Sequence, residues 1–350
     1  MEKITQFTLE QFTAFSEPAQ FDFSPGINVL IGANSTGKTH LMKAIYTTLK
    51  VCESVHLNKT DTSVRITNLA EDNLMGIFKP NKVGHLVRHQ VGSNKGRIEL
   101  IYDKQWFEIS ITSQNTVTVD YEPGAIPSPA KSVFLPVHEF LSIYPGFIAA
   151  YQIRENSFDQ TYYDLAVSLS ALPLRGPKLE GIKNLLVPLK KALAGATVSQ
   201  EDQQFYVKLP EAKLEAHLVS EGYRKIAGLL YLLNNGSLTQ NGILFWDEPE
   251  ANLNPQMVVN IVEALKILAA SGMQIFLATH DYLLSQELSL IAEYSQETAI
   301  QFFALYKPKR TAGVLFDTGR TLAEIDRNPI LDEFAAHYDR EAKLFEPEQE

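Results

Sequence analysis

Residues 32–39 read Gly-Ala-Asn-Ser-Thr-Gly-Lys-Thr and match the G-x-x-x-x-G-K-[ST] pattern of a phosphate-binding loop. The apolar run 27–31 precedes this octet and predicts a strand, and residues 41–46 follow it as a predicted helix. A strand, a glycine-rich turn and a helix N-terminus direct backbone N–H groups and a positive dipole end at phosphate oxygens. The alternative is an ordinary Gly/Ser/Thr turn, and the flanking elements argue against it.

The last two residues of the octet have specific expected roles. We predict that Lys38 lies over the β- and γ-phosphates and that the Thr39 hydroxyl ligates Mg²⁺. The predicted nucleotide-binding residues are Gly32, Ala33, Asn34, Ser35, Thr36, Gly37, Lys38 and Thr39.

An acidic pair follows a second apolar run. Residues 243–246 lead into Asp247 and Glu248, which predicts a buried strand that ends in two carboxylates. Ligands bind at the carboxyl ends of strands in open α/β sheets. Asp247 suits the shell of Mg²⁺, because a hard cation prefers carboxylate oxygens, and Glu248 suits a general base for the attacking water. A solvated Asp-Glu-Pro turn is the alternative, and it is weak beside a phosphate-binding loop.

Three further polar positions lie before or after this strand in the sequence. Asn254 is a good N-cap for the helix that follows, and the next predicted strand ends at His280, where an imidazole is placed to reach a γ-phosphate. Upstream, Ser220 precedes an apolar helix, and the exposed amides at that helix N-terminus form another anion site. From this segment alone, a plain capped helix is the reading we favour.

The order of these motifs resembles the ABC-type ATPase head. The similarity is closest to the soluble branch of SMC, RecF, OLD-family and anti-phage defence ATPases, of the AAA_15/AAA_21 kind, and covers about residues 1–310. It implies an α/β fold, that is, an ABC-type ATPase head with a mixed central sheet, an antiparallel β subdomain and a helical insertion. It also implies ATP and Mg²⁺ as cofactors.

The resemblance also implies roles for individual residues. Ser220 and Gly222 correspond to the signature motif, which caps the ATP of a second copy in trans. Asn252 and Asn254 correspond to the D-loop, and His280 corresponds to the switch histidine. A homodimer, or a higher oligomer built from it, is therefore expected.

The chain departs from the family pattern at two places. Glu221 stands where the signature motif usually has a second glycine, and no glutamine follows the strand that should carry the Q-loop. We expect His138 or Glu139 to take the glutamine position. The adenine contact is also open: Phe12 or Phe15 stacks on the base or belongs to the core.

Four regions are predicted along the chain. They are an ATPase lobe with the P-loop and a β meander (1–139), a helical insertion with a small β element (140–217), a second ATPase lobe with signature, Walker B, D-loop and switch histidine (218–310), and a C-terminal strand, helix and acidic tail (311–350). Strands 4–9 and 21–23 are expected beside the P-loop strand as its antiparallel edge. Residues 59–96 are expected to be irregular with one helical turn. The C-terminal helix 330–344 either packs on its own lobe or docks a partner.

Composition limits the remaining function classes. A formal net charge of −10 gives no overall attraction to nucleic acid, although local basic groups leave DNA contact as an alternative. The single cysteine, Cys52, fits a reducing compartment, and no signal peptide or membrane-spanning run is evident. We therefore expect a soluble, cytoplasmic protein without a membrane partner.

The sequence thus predicts an ATP hydrolase that dimerises around ATP. By resemblance, it would control a separate effector, a nuclease or toxin, in a prokaryotic anti-phage defence system. The alternative is a RecF/SMC-like DNA repair or DNA-binding ATPase. A transporter subunit is disfavoured by the missing glutamine, and a scaffold without turnover is disfavoured by the presence of Glu248 and His280.

Overall fold

The computed structural model describes residues 3–58, 63–88, 94–122, 126–153, 157–295, 297–308 and 313–345. The strands are β1 (Ile4–Glu10), β2 (Ala19–Asp22), β3 (Ile27–Gly32), β4 (Lys95–Tyr102), β5 (Gln105–Thr112), β6 (Val117–Tyr121), β7 (Ser132–Leu135), β8 (Thr197–Glu201), β9 (Gln204–Lys208), β10 (Lys213–Glu215), β11 (Ile243–Asp247), β12 (Gln274–Thr279), β13 (Ile300–Tyr306) and β14 (Leu315–Gly319). The α-helices are α1 (Lys38–Asn58), α2 (Ser63–Phe78), α3 (Phe147–Ile153), α4 (Gln160–Leu169), α5 (Pro177–Glu180), α6 (Lys183–Ala192), α7 (Glu221–Asn234), α8 (Pro255–Ala270), α9 (Tyr282–Tyr294) and α10 (Pro329–Phe345).

A six-stranded mixed sheet positions the predicted motifs. Its order is β14-β13-β3-β12-β11-β7, in which β14 pairs antiparallel with β13 and the other pairs are parallel. Strands β3, β11 and β12 are buried along their whole length, which accounts for their uninterrupted apolar runs. Because these three strands are parallel neighbours, their carboxyl ends, and the motifs that follow them, lie at one edge of the sheet.

The central sheet separates two hydrophobic cores. Val29 and Ile31 of β3 belong to one core, and Leu30, which points to the opposite face, belongs to the other. The first core includes the buried faces of α7 and α8, and the second includes those of α1 and α2. The P-loop strand is thus held from both sides by apolar packing.

Strands β1 and β2 do not lie beside the P-loop strand, so that expectation was wrong. They belong to a separate five-stranded antiparallel sheet of order β2-β1-β4-β5-β6, together with the predicted meander. The reason is that both edges of β3 are already hydrogen-bonded, to β12 on one side and to β13 on the other. The predicted fold class, with its mixed sheet and antiparallel subdomain, is confirmed.

Helix α2 lies where an irregular segment was expected. Its buried residues include Ile66, Ala70, Leu74 and Ile77, at spacings that place them on one helical face against α1. This apolar periodicity was present in the sequence, but the surrounding Thr, Asn, Lys and Gly residues obscured it. The helix matters for the site because it ends at Phe78.

Helices α3 to α6 and the three-stranded sheet β10-β9-β8 lie between β7 and α7 in the chain. Helix α6 packs against α7 and α8. Near the C-terminus, Phe334 of α10 stacks on Tyr282 at 4.2 Å between ring centroids, while Tyr338 is 65% exposed. Within the described ranges, no helix is both long and apolar enough to cross a membrane. The predicted acidic tail, residues 346–350, lies outside them.

Candidate functional site

The octet forms the turn between β3 and α1. Lys38 is only 7% exposed, and its Nζ donates hydrogen bonds to the carbonyl oxygens of Gly32 (2.7 Å) and Ala33 (3.0 Å). Burial lowers the pKa of Lys38, while the carboxylates of Asp247 and Glu248 act in the opposite direction. The loop therefore encloses a cation beside the first turn of a helix, which is the arrangement that binds phosphate.

Two glycines of the octet are required by the backbone. Gly32 has φ +150°, and a Cβ there would lie 2.3 Å from the Leu305 carbonyl oxygen. Gly37 has φ +90°, and a Cβ there would lie 3.0 Å from the Ala14 Cβ. A side chain at either position would strain or displace the loop.

Thr39 and Asp247 meet across the edge of the sheet. The Thr39 hydroxyl donates a hydrogen bond of 2.8 Å to Asp247 Oδ2, and Asp247 is 3% exposed. Burial raises the pKa of Asp247 to about 6. A hydroxyl and a carboxylate are oxygen donors of the kind Mg²⁺ prefers, together with waters and phosphate oxygens. No group of three or more His, Cys, Asp or Glu in the described chain would hold a metal by itself. The pair therefore fits a Mg²⁺ ion whose other ligands come from water and from the phosphates of a nucleotide.

Glu248 lies at the start of a strained turn. Its φ is +47°, which is uncommon for a residue other than glycine, and its amide donates to the Ala278 carbonyl oxygen at 2.9 Å. This turn leaves the carboxylate at the sheet edge, with Oε1 3.3 Å from His280 Nδ1. The side chains of Glu248 and His280 are 26% and 48% exposed, so both are open to a ligand.

One cavity of about 660 Å³ is lined by most of the phosphate loop and by Glu248. Its described lining consists of Thr13, Ala14, Asn34, Ser35, Thr36, Gly37, Lys38, Thr39, His40, Phe78, His85, Leu86 and Glu248. The phosphate loop and the Glu248 carboxylate thus share one ligand space. The other end of the cavity is formed by residues outside the motifs.

The predicted signature and D-loop residues pack against each other. Ser220 is the exposed N-cap residue of α7, and its side chain makes no capping hydrogen bond. A Cβ on Gly222 would lie 2.8 Å from the Asn252 carbonyl oxygen, so glycine permits this close approach. Asn252 is exposed with φ +65°, whereas the Asn254 side chain caps α8 by accepting from an amide of its first turn at 2.9 Å.

Comparison with known sequences gives two partial matches. The family described as "AAA domain, putative AbiEii toxin, Type IV TA system" matches residues 131–285. The DNA replication and repair protein RecF of Streptococcus uberis is 40% identical over 81 residues. That match spans 23% of this chain and 21% of the length of RecF.

The fold matches SMC heads over most of the chain. The SMC head domain from Thermotoga maritima is 12% identical, with a TM-score of 0.51 over 91% of this chain and 99% of that one. An SMC head bound to the C-winged helix domain of ScpA is 11% identical, with a TM-score of 0.55 over 91% and 98% of the two chains. An SMC head with an extended coiled coil, bound to the C-terminal domain of ScpA derived from Pyrococcus furiosus, is 10% identical, with a TM-score of 0.52 over 98% and 100%.

The chain therefore has an SMC head-like α/β fold, and residues 131–285 resemble the AAA domain family. Two buried charged residues support the site, and the sequence predicted no role for the first of them, Lys225. Lys225, 6% exposed, donates from Nζ to the Glu248 carbonyl oxygen at 3.1 Å. Glu250, 8% exposed, accepts a hydrogen bond of 2.6 Å from the Thr279 hydroxyl. The only sequence signal for Lys225 was its position on the apolar face of α7, next to Ile226.

The expected Q-loop substitution is not supported for Glu139. Its Oε1 lies 2.9 Å from Arg224 Nε in an ion pair and also accepts a short hydrogen bond from the Ser142 hydroxyl. The carboxylate is therefore engaged by α7 and by its own loop. His138 is exposed and is not among the described residues that line the cavity.

Of the two alternatives for Phe12 and Phe15, the structure supports the core position. Both are fully buried, and Phe12 packs edge-on against Phe78 with 5.4 Å between ring centroids. Among the described residues that line the cavity, the phenylalanine is Phe78. Sequence reasoning missed it because α2 was not predicted as a helix.

Proposed function

We propose that this head binds and hydrolyses ATP with Mg²⁺. The observation that carries the proposal is the position of Glu248, which shares a cavity with Lys38 and lies 3.3 Å from His280. In this proposal the Glu248 carboxylate would accept a proton from the attacking water, and His280 would contact the γ-phosphate. Thr39 and Asp247 would hold the Mg²⁺ ion, which neutralises charge on the phosphate oxygens when it is bound.

ATP turnover by the purified protein tests this assignment. Glu248→Gln should lower turnover by roughly 10²–10⁴-fold, because glutamine keeps the shape of the side chain but cannot accept the proton. Glu263→Gln, an exposed substitution on α8, is the matched control and should leave turnover unchanged. Turnover by Glu248→Gln within about threefold of wild type would move the base elsewhere, with Glu250 or His280 as the next candidates.

We also propose that the ATPase acts as a homodimer with composite sites. Ser220 is exposed, does not cap its own helix and is not among the described residues that line its own cavity. Its free hydroxyl and the α7 N-terminus therefore suit the ATP of a second copy. Asn252, also exposed, lies against Gly222 and would belong to the same interface.

Mixing two inactive variants tests the composite site. Lys38→Ala removes the phosphate-binding cation, and Ser220→Arg blocks the trans contact. In a mixture shown to exchange subunits, a heterodimer contains one intact site and should regain ATPase activity. No recovery in that mixture would contradict the composite arrangement.

For the biological role, we propose that the head controls a separate effector, a nuclease or toxin, in the cytoplasm during anti-phage defence. The support is the family description, which names a putative AbiEii toxin and a type IV TA system. The exposed apolar side of α10, with Tyr338 and Phe345 65% and 79% exposed, is a surface on which an effector could dock. Phage plating on cells that express the native gene neighbourhood, with wild type or Glu248→Gln, tests this. Equal plating on both strains would contradict a defence role that depends on turnover.

A RecF-like role in DNA repair is the second candidate, because RecF of Streptococcus uberis is 40% identical over 81 residues. A DNA-binding titration at several salt concentrations separates the two. A repair ATPase should bind DNA with an affinity that falls steeply with salt, since each phosphate contact releases counterions. Absence of DNA binding with ATP present would remove this candidate.

A further inference from the structure

The nucleotide cavity extends beyond the phosphate loop to a wall that no motif predicted. This wall consists of the Thr13–Ala14 turn, Phe78 at the end of α2, and His85 and Leu86 of the 3-10 helix Val83–Leu86. We propose that this base wall holds the adenine ring of ATP, with Phe78 as its main contact and the residue that determines affinity for the base. The inference rests on the proposed ATP-binding function and adds the residues that hold the base.

The base wall adjoins the phosphate loop directly. The Phe78 ring lies 5.8 Å from the ring of His40, the residue that follows Thr39, at an interplanar angle of 67°. On the opposite side, Ala14 approaches Gly37 so closely that a Cβ on the glycine would lie 3.0 Å from the Ala14 Cβ. A nucleotide with its phosphates on the loop therefore has its base within reach of the wall.

Hydrogen bonds join the parts of the base wall across a long stretch of sequence. The Thr13 amide donates to the Leu86 carbonyl oxygen at 2.8 Å. Arg88 Nη1 donates to the carbonyl oxygens of Thr13 (3.2 Å) and Ala14 (3.1 Å). Behind the wall, fully buried Phe12 packs edge-on against Phe78. These hydrogen bonds and this packing therefore fix the positions of the residues that form the base wall.

Thr13 shows strain of the kind found at ligand sites. Its φ is +46°, an outlier for a β-branched residue, and its hydroxyl is buried without a hydrogen-bond partner. Such a conformation persists only where its surroundings enforce it, as the bonds from Leu86 and Arg88 do here. A ligand in the cavity could supply the hydrogen-bond partner that the Thr13 hydroxyl lacks.

The chemistry of the base wall suits a flat heteroaromatic ring. Phe78 and Leu86 offer apolar contact, and Phe78 is half-buried, so part of its ring remains open to the cavity. Among the described lining residues, the only carboxylate is Glu248, which lies at the phosphate end. The base would therefore be held by stacking and shape, an interaction that inorganic phosphates cannot make.

Comparison of ATP with inorganic tripolyphosphate separates the base wall from the phosphate loop. By calorimetry, Phe78→Ala should weaken ATP binding by roughly 5- to 150-fold, the range expected for loss of one stacked aromatic ring. The same variant should bind tripolyphosphate within about twofold of wild type. Phe78→Tyr should retain ATP affinity, and Phe334→Ala, which removes a 40% exposed phenylalanine of α10, is the matched control.

Because Phe78 also packs against Phe12, Phe78→Leu serves as a second variant that keeps most of the apolar volume but removes the aromatic face. It should lose ATP affinity at least severalfold and retain tripolyphosphate binding. ATP affinity within twofold of wild type in both the Ala and Leu variants would overturn the base wall. Equal loss of ATP and tripolyphosphate affinity in the Leu variant would overturn it as well. Wild-type protein that binds neither ligand would instead overturn the proposed ATP-binding function.

Discussion

Replacement of Lys225 by methionine tests whether α7 controls the geometry of Glu248. Lys225 is buried in the second turn of α7, and its Nζ donates to the Glu248 carbonyl oxygen at 3.1 Å. Glu248 has φ +47°, so this bond helps to hold a backbone conformation that is otherwise unfavourable. Methionine has a similar length but no donor. We expect the turn to relax and the Glu248 carboxylate to leave its catalytic position.

The expected magnitude follows from the lost contact. A hydrogen bond from a charged group is worth about 1.5–3 kcal/mol. A change of about 1.4 kcal/mol in the activation free energy changes the rate tenfold. If the hydrogen bond stabilises the transition state by its full value, its loss should therefore lower kcat by roughly 10- to 150-fold. ATP affinity should change little, because Lys225 is not among the described residues that line the nucleotide cavity.

The assay measures kcat and the dissociation constant for ATP in Lys225→Met, with exposed Lys104→Met as the control. Lys225 is only 6% exposed, and this burial lowers its pKa because the charged form loses hydration. Methionine removes that desolvation cost together with the hydrogen bond, so the melting temperature should change little. A kcat within threefold of wild type would refute the reasoning. Parallel losses of ATP affinity and kcat would also refute it, because they indicate general disruption of the site.

Four other changes have defined outcomes. Lys38→Ala should abolish tight ATP binding in calorimetry, since Lys38 is the cation that the loop encloses; wild-type affinity would contradict the P-loop assignment. Glu248→Gln should accumulate an ATP-bound dimer in ultracentrifugation, because binding becomes the end of the cycle, and unchanged sedimentation on addition of ATP would count against dimerisation. Gly222→Ala places a Cβ 2.8 Å from a backbone oxygen and should cost about 1–3 kcal/mol in denaturant unfolding, so an unchanged midpoint would contradict the packing at Asn252. The pKa of Asp247 is raised to about 6, so protons compete with Mg²⁺ for this carboxylate below that pH. The Mg²⁺ concentration needed for half-maximal ATPase activity should therefore rise steeply from pH 6 to pH 5 and stay constant above pH 7. Equal concentrations at pH 5.5 and pH 7.5 would refute this prediction.

The parts of the site that could be predicted are those whose conformation depends on residues close together in the sequence. The octet 32–39 requires glycine at two backbone positions, and the apolar runs before it and before Asp247 specify buried strands. Since parallel neighbours end at the same edge of a sheet, the sequence alone indicated that Lys38, Asp247 and His280 would approach one another. The fold class followed from the same pattern of strands and helices.

Other parts depend on packing between distant segments. The sequence could not show that β12 and β13 occupy both edges of β3, and this pairing displaced β1 and β2 into a second sheet. The ion pair between Glu139 and Arg224 could not be recognised from the sequence. The two residues are 85 positions apart, and each could have formed an ion pair with another residue.

By itself, then, the sequence determined the phosphate-binding turn, the acidic strand end and the class of fold, because backbone sterics and apolar periodicity act over a few residues. Only the tertiary structure decided which side chains complete the cavity and which residues support it from behind. Thr13 is joined to Leu86, and Lys225 to Glu248, by hydrogen bonds between segments that are distant in the chain. Such contacts depend on both hydrophobic cores, because the packing of those cores fixes where α2 and α7 lie against the central sheet.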